Sequence, residues 1–157
     1  MRRQNQEKIV WIIGASSGIG EALARELAER GATLALSARR EDKLAELQRD
    51  LGEKHSIAAL DVTDADSVAV ATRAVFTRHG RIDSIIVLAA LYEPLSLAEL
   101  TPEKTRRIVD ANLIGSFNVV HSVLPLLRQQ GGGQLVLCGS VAGFIGLPGG
   151  QPYSATK

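Results

Sequence analysis

The stretch KIVWIIGASSGIG, residues 8–20, decides how this chain begins to fold. An apolar run as long as a buried strand leads into a loop that contains Gly14, Gly18 and Gly20, and an amphipathic segment follows. Glycines at such a junction allow a tight turn and let backbone amides approach a pyrophosphate at a helix N-terminus. The spacing differs from the usual dinucleotide fingerprint, but the strand–loop–helix context favours a nucleotide-binding unit over a purely structural turn.

The same alternation of apolar and amphipathic segments continues along the chain. The apolar runs are rich in Ile, Val and Leu and do not alternate with polar residues, which is typical of strands buried on both faces. These runs are KIVWII, ATLALS, HSIAAL, DSIIVLAA and GQLVLCGS. With a helical pattern between each pair, they predict an α/β fold: a Rossmann-like, doubly wound parallel sheet with helices on both faces. We expect residues 1–157 to form one domain.

Capping residues predict where several helices begin and end. Thr63 or Asp64 is expected to cap the third helix, which closes at Gly80. Pro102 takes the first position of the next helix, where its missing N–H does no harm. Pro125 is expected to kink or break the far end of that segment.

Composition excludes several classes of partner. The chain is 45% hydrophobic and 22% charged with a net charge of +1, so neither nucleic acid nor an anionic membrane is favoured. No apolar run approaches the roughly 20 residues that span a bilayer. The single Cys138 excludes an internal disulfide and is expected to be a small buried core residue. We therefore expect a cytoplasmic protein, with no metal site because the three histidines have no ligand spacing.

The end of the second strand indicates which dinucleotide is bound. An acidic residue there would bind a ribose 2′-hydroxyl, but this chain has Ser37 and Ala38 followed by Arg39 and Arg40. Two cations and a hydroxyl suit a 2′-phosphate and favour NADP(H), with NAD(H) possible; the alternative is that both arginines are solvated loop charges. Asp61, after the third strand, either accepts from an adenine amino group or caps the next helix.

Five motifs, taken together, resemble those of the short-chain dehydrogenase/reductase family. GASSGIG, LDVTD, DANLIGSF, GSVAG and YSATK follow the family's order across nearly the whole chain. The resemblance implies that Tyr153 is the general acid/base and that Lys157 holds the nicotinamide ribose and assists the tyrosine. It further implies that Ser140 binds the substrate oxygen and that Asn112 positions a water in a proton relay.

The resemblance also implies a cofactor surface and shows where this chain departs from the family. The family's Asn-Asn-Ala-Gly run reads Val87-Leu88-Ala89-Ala90 here, so a polar side chain is lost and a methyl group is added near the cofactor. The residues expected to bind the cofactor are Gly14, Ser16, Ser17, Gly18, Ile19, Gly20, Ser37, Arg39, Arg40, Asp61, Val62, Ala89, Ala90, Tyr153 and Lys157.

The expected function is an NADP-dependent oxidoreductase that interconverts a small-molecule carbonyl compound and an alcohol. The alternatives are a non-catalytic nucleotide-binding or regulatory protein and an inactive fragment. Five strands are fewer than a doubly wound fold requires, so we expect the chain to be a C-terminally truncated form that is catalytically inactive by itself. The resemblance implies that the complete parent is a homo-oligomer.

Overall fold

A computed structural model describes residues 7–157 and contains a five-stranded parallel sheet. The strand order is β3-β2-β1-β4-β5, and each neighbouring pair is parallel. The strands are β1 (Ile9–Ile13), β2 (Thr33–Ser37), β3 (Ser56–Ile57), β4 (Ser84–Val87) and β5 (Gln134–Leu137). The predicted α/β, Rossmann-like sheet is therefore confirmed.

Within residues 7–157, six α-helices connect or follow the strands. They are α1 (Gly18–Glu29), α2 (Glu41–Leu51), α3 (Ala65–His79), α4 (Pro102–Val109), α5 (Gly115–Gln129) and α6 (Gln151–Ala155). A π-helical segment, Asp110–Ile114, joins α4 to α5, and a 3₁₀ turn, Val141–Gly143, follows β5. Asp64 is the residue that caps α3, because its carboxylate accepts from two backbone amides of the first turn.

Helices cover both faces of the sheet because successive β1 side chains point in opposite directions. Trp11 and Ile13 belong to one apolar cluster, which α3 and α5 cover, while Val10 and Ile12 belong to a second cluster with α1 and α2. Burial of these large side chains supplies the main stabilising term of the fold. Because all neighbouring strands are parallel, their carboxyl ends lie at one edge of the sheet, where ligands bind in open α/β folds.

Three local predictions are wrong. Cys138 is exposed, and β5 is only half-buried, because β5 pairs with β4 alone and is an edge strand within residues 7–157. The third strand is reduced to two residues at the other edge. The helix containing Pro125 is not broken there and runs on to Gln129, an irregular turn lies at Asp110–Ile114, and the kink at Pro125 stays a prediction.

Between residues 7 and 157 there is no helix both long and apolar enough to cross a membrane.

Candidate functional site

The glycine loop brings the start of α1 against the loop that follows β4. Gly14 has φ +102°, and a Cβ added there would lie 2.6 Å from the backbone nitrogen of Ala89. A Cβ on Gly20 would lie 2.1 Å from the carbonyl oxygen of Gly14. Both contacts are too short for any side chain, so these two glycines permit the close approach of three backbone segments.

The N-terminus of α1 has the features of an anion site. Ser17 is the N-cap residue, but its side chain makes no capping bond to the helix. Its hydroxyl instead accepts a 2.8 Å hydrogen bond from Arg40 Nη2, which also reaches the hydroxyl of Ser16 at 3.0 Å. The positive end of α1 therefore brings together three kinds of polar group: the amides of the first helical turn, the two serine hydroxyls and the guanidinium of Arg40. This donor set fits the phosphates of a dinucleotide.

Ser37 does not fit the expected contact with a 2′-phosphate. Its side chain is fully buried, and its hydroxyl accepts from Trp11 Nε1 at 2.8 Å and donates to the carbonyl of Ala58 at 2.5 Å. Its own carbonyl accepts from the amides of Gly14 and Ala15. Ser37 therefore holds the glycine loop in place from inside the sheet and offers no free hydroxyl to a ligand.

Asp61 and Val62 lie where the chain leaves the third strand. The carboxylate of Asp61 accepts from the amide and the hydroxyl of Thr63 at 2.9 and 2.8 Å, so it closes a local turn and does not cap α3. Val62 packs against Gly115, where an added Cβ would lie 2.7 Å from its methyl group. The contact of Asp61 with an adenine amino group stays a prediction.

Asn112 is a buried polar residue in the π-helical segment, and its side chain bonds to two other segments. Its Oδ1 accepts from the amide of Leu91 at 2.6 Å, and its Nδ2 donates to the Leu91 carbonyl at 3.0 Å and to Thr156 Oγ1 at 3.1 Å. The whole amide group is thus used to join the loop after β4 to the segment that carries Tyr153 and Lys157. Both N–H groups of Asn112 are used, and only the second lone pair of Oδ1 is left to accept from a water molecule.

Tyr153 and Lys157 lie close together, although α6 ends before Lys157. The ammonium nitrogen of Lys157 is 5.6 Å from the centroid of the Tyr153 ring and donates to the carbonyl of Cys138 at 3.1 Å. The Tyr92 ring meets the Tyr153 ring edge-on at 4.8 Å. These contacts tie the tyrosine and the lysine to the ends of β4 and β5.

Ser140 lies between β5 and the 3₁₀ turn. Its hydroxyl oxygen accepts from the amide of Ala142 at 3.2 Å and so caps that turn. Within residues 7–157 no hydrogen bond joins Ser140 to Tyr153 or Lys157. The turn is nevertheless held against the same segment, because a Cβ on Gly143 would lie 2.3 Å from the Lys157 carbonyl carbon.

Beside these residues a cavity of about 320 Å³ opens between α5 and the end of β5. Its lining includes Asn112 and Lys157, but not Ser140 or Tyr153, together with apolar side chains of α5 and the strands. The lining residues are Val87, Ala89, Asn112, Leu113, Ser116, Phe117, Val120, Leu137, Cys138, Gly139, Thr156 and Lys157. Within the described part of the chain, no group of three His, Cys, Asp or Glu side chains could hold a metal ion.

The structure also places the remaining candidates and adds residues that the sequence did not indicate. Ile19 and Ala90 are exposed, and Val87 is buried in the apolar cluster under α3 and α5. Thr156 and Tyr92 were missed; the only signal for Thr156 was its position directly before Lys157, and Tyr92 had none.

Comparison with known proteins gives consistent matches over nearly the whole chain. The family model described as short chain dehydrogenase matches residues 8–157. An uncharacterized oxidoreductase of Staphylococcus saprophyticus is 37% identical over 97% of this chain and 62% of its own length. The human dehydrogenase/reductase SDR family member 7 is 34% identical over 96% of this chain and 47% of its own length.

Solved structures match the fold as closely. Serine dehydrogenase from Escherichia coli superposes with a TM-score of 0.88 at 28% identity, over 94% of this chain and 69% of that one. A short-chain dehydrogenase from Streptomyces avermitilis gives 0.89 at 30% identity, over 96% and 56%. The chain spans about three fifths of the length of the bacterial curated relatives it matches, for example 62% of the Staphylococcus protein.

Proposed function

Since the chain belongs to the short-chain dehydrogenase family, we propose that it is an oxidoreductase that interconverts a small carbonyl compound and an alcohol, with NADP(H) as the preferred cofactor. Residues 1–157 would then form, or be part of, one dinucleotide-binding domain. When bound, the nicotinamide would supply or accept the hydride. The chain's own residues would bind the cofactor, orient the substrate and move one proton.

The observation that carries this proposal is the meeting of distant segments at the carboxyl ends of the strands. Gly14 packs against the backbone of Ala89. Two residues later, Leu91 forms two hydrogen bonds with the side chain of Asn112, which lies in the π-helical segment. The same Asn112 binds Thr156, next to Lys157. The glycine loop and the Tyr–Lys pair are therefore linked through Ala89, Leu91 and Asn112, which supports the proposal that they form one site for cofactor-dependent chemistry.

In this site we assign the proton step to Tyr153, whose phenolic oxygen would donate to the substrate oxygen during reduction and accept from it during oxidation. Lys157 would contact the nicotinamide ribose, and its ammonium group would stabilise negative charge on the tyrosine oxygen. Ser140 would donate a hydrogen bond to the substrate oxygen once a ligand competes with its cap. Asn112 would hold the loop after β4 and the Tyr–Lys segment in register.

The preference for NADP(H) is supported by charge at the glycine loop. Arg40 already contacts the hydroxyls of Ser16 and Ser17, and Arg39 is exposed beside it. The chain has no carboxylate at Ser37 or Ala38 to repel a 2′-phosphate. Both arginines can offer charge-assisted hydrogen bonds to that phosphate.

The test uses a form of the protein extended past Lys157 and combines cofactor titration with turnover of a panel of aldehydes and ketones. We expect NADPH to bind more tightly than NADH, and we expect Tyr153→Phe to lower kcat/KM by at least about 100-fold while the Kd for NADPH changes little. Tyr92→Phe is the matched control, since it removes a hydroxyl from the neighbouring ring and should keep most of the activity. Binding of NADPH without Tyr153-dependent turnover would instead support a non-catalytic nucleotide-binding protein.

A further inference from the structure

We propose that Asn118 is a positioning residue for the adenine end of the dinucleotide, an inference that rests on the proposed function. Asn118 lies on α5 and is 56 residues away from Val62 in sequence. No local motif connects it with the turn after the third strand, which contains Asp61. In this proposal Asn118 acts on the cofactor through that turn and not by direct contact.

The amide group of Asn118 bonds to the backbone of the turn. Its Nδ2 donates a 2.9 Å hydrogen bond to the carbonyl of Val62, in partly buried surroundings. A carbonyl oxygen can only accept, so the nitrogen of the Asn118 amide is the atom that must face it. Because a buried carbonyl without a donor is unfavourable, this bond fixes the direction in which the Val62 carbonyl points.

The direction of that carbonyl also sets the direction of the next N–H group. The peptide bond between Val62 and Thr63 is planar and trans, so its carbonyl and its N–H point to opposite sides. The carbonyl accepts from Asn118, and the N–H of Thr63 donates to Asp61 Oδ1 at 2.9 Å. One peptide group therefore connects the Asn118 amide with the Asp61 carboxylate.

This connection leaves one carboxylate oxygen of Asp61 for a ligand. Oδ1 accepts from the amide and the hydroxyl of Thr63, while none of the hydrogen bonds described for residues 7–157 reaches Oδ2. A carboxylate oxygen can accept from the amino group of adenine. The amide of Leu60 donates to the carbonyl of Ala38 at 3.1 Å, so the turn lies beside the segment that leads to Arg39. The proposed contacts with adenine and with the 2′-phosphate therefore belong to neighbouring segments.

Gly115 holds the same turn by close packing. It is the first residue of α5, and a Cβ added there would lie 2.7 Å from Val62 Cγ2 and 2.9 Å from Val62 Cβ. Neither distance is possible for a real side chain, so Val62 would have to move. Asn112, in the π-helical segment just before, bonds to Thr156. The region where this segment meets α5 therefore contacts both ends of the proposed cofactor site.

The test compares NADPH with deamino-NADPH, in which a carbonyl replaces the amino group of adenine, by isothermal titration of a form of the protein extended past Lys157. That carbonyl cannot donate to Asp61, so we expect the unaltered protein to bind NADPH about 10-fold more tightly. Asn118→Leu removes the donor but keeps a side chain of similar size, and it should reduce the ratio to about twofold or less. Gly115→Ala should also reduce the ratio, although alanine itself favours the helix.

The ratio of the two Kd values separates positioning from a general loss of stability. A variant that merely unfolds more easily loses affinity for both cofactors equally and keeps the ratio. Ser122→Ala is the matched control, because it also removes a hydrogen bond of α5, the 2.8 Å bond from Ser122 to Thr72 Oγ1, which joins α5 to α3 instead. It should keep the ratio. If Asn118→Leu does not fold, the ratio in Gly115→Ala decides.

The proposed function is tested separately, by turnover of the aldehydes and ketones. A ratio that falls in Asn118→Leu supports the inference even if no carbonyl compound is turned over; the proposed reaction then fails and a nucleotide-binding protein remains. Turnover together with an unchanged ratio in Asn118→Leu, or with no preference for NADPH over deamino-NADPH in the unaltered protein, would overturn the inference and leave the proposed function intact. Failure to bind either cofactor would overturn both.

Discussion

Two neighbouring arginines have different surroundings although the sequence gives no reason to separate them. The guanidinium of Arg40 donates to the carbonyl and hydroxyl of Ser16 and to the hydroxyl of Ser17, so it braces the glycine loop. Arg39 is exposed, and within residues 7–157 its side chain makes no hydrogen bond. Arg39 is therefore free to turn toward a ligand, whereas Arg40 both shapes the loop and faces the same site.

This difference predicts distinct effects of two substitutions on cofactor binding. Arg39→Ala should weaken NADPH binding by about 1.5–3 kcal/mol, the range for a hydrogen bond to a charged group, and should hardly affect NADH. Arg40→Ala should weaken both cofactors, because it also releases Ser16 and Ser17. Isothermal titration of each variant with both cofactors gives the four values.

Arg49→Ala is the control for net charge, since Arg49 lies on α2 and its side chain donates only to the carbonyl of Ala45 among the hydrogen bonds described. It should leave all Kd values within about twofold. If Arg39→Ala weakened NADH as much as NADPH, Arg39 would not be reading a 2′-phosphate.

Among the secondary-structure elements, the π-helical segment decides the geometry of the site. A helix that ran regularly through residues 102–129 would present its side chains with one constant period. The extra residue per turn at Asp110–Ile114 shifts that period where Asn112 enters the interior, a feature often found at functional sites. Asn112 is 3% exposed and reaches both Leu91 and Thr156.

Thr156 tests how much this connection contributes. Thr156→Val keeps the shape of the side chain but removes the oxygen that accepts from Asn112 Nδ2. We expect the free energy of unfolding to fall by about 1–3 kcal/mol, because a buried donor loses its acceptor. We also expect kcat to fall while the Kd for NADPH stays nearly constant, because only the Tyr–Lys segment is loosened.

Thr156→Ser is the matched control, since it keeps the hydroxyl and should retain both stability and kcat. Urea unfolding and steady-state kinetics measure the two effects. If Thr156→Val unfolded at the same urea concentration as the unaltered protein, the hydrogen bond from Asn112 would not stabilise this segment.

At the scale of the whole molecule, a titratable side chain, His55, is buried inside the fold directly before the edge strand β3. His55 is 1% exposed, and its Nδ1 accepts from the amide of Leu34 at 3.1 Å. Burial lowers the pKa of His55 below its usual value, and the nearby Lys54 ammonium lowers it further. Burial also lowers the pKa of His79, which meets Ser56 on the same edge strand.

The lowered pKa values predict that the folded state is less stable in mild acid. Above pH 6.5, the unperturbed value, both histidines are mainly neutral in the folded and unfolded chains and the full stability is present. As the pH falls below 6.5 the unfolded chain takes up protons first, so stability decreases until the folded-state pKa values are reached. One histidine can contribute a slope of at most about 1.4 kcal/mol per pH unit.

Urea unfolding between pH 7.5 and 5.5 measures this slope. His55→Asn should reduce it, because the Asn side-chain oxygen can accept from Leu34 without titrating. His121→Asn removes an exposed histidine on α5 and serves as the control. An unchanged slope in His55→Asn would mean that this histidine does not set the acid sensitivity of the protein.

Local sequence determined the elements and their order. Strand and helix patterns have short periods, so KIVWII, the glycine loop and the helix after it could be recognised one after another, and with the later segments they gave the parallel α/β sheet. Helix ends were also readable, because the groups that satisfy them are neighbours in sequence: the start of α3 was narrowed to Thr63 or Asp64, its end to Gly80, and the first position of α4 to Pro102. The candidate site at Ser140, Tyr153 and Lys157 came instead from the resemblance of its motifs to a known family, and the roles of these residues stay predictions.

Only the tertiary structure decided which of these residues are available for chemistry. Ser37 looked like a ligand contact and proved to be a buried link between Trp11 and Ala58, while Cys138 looked buried and is exposed at an edge strand. Asn112 meets Leu91 and Thr156, which lie 21 and 44 residues away in sequence. Burial and hydrogen-bond partners depend on which segments the sheet order brings together, and a pattern with a period of two or 3.6 residues carries no information over such separations.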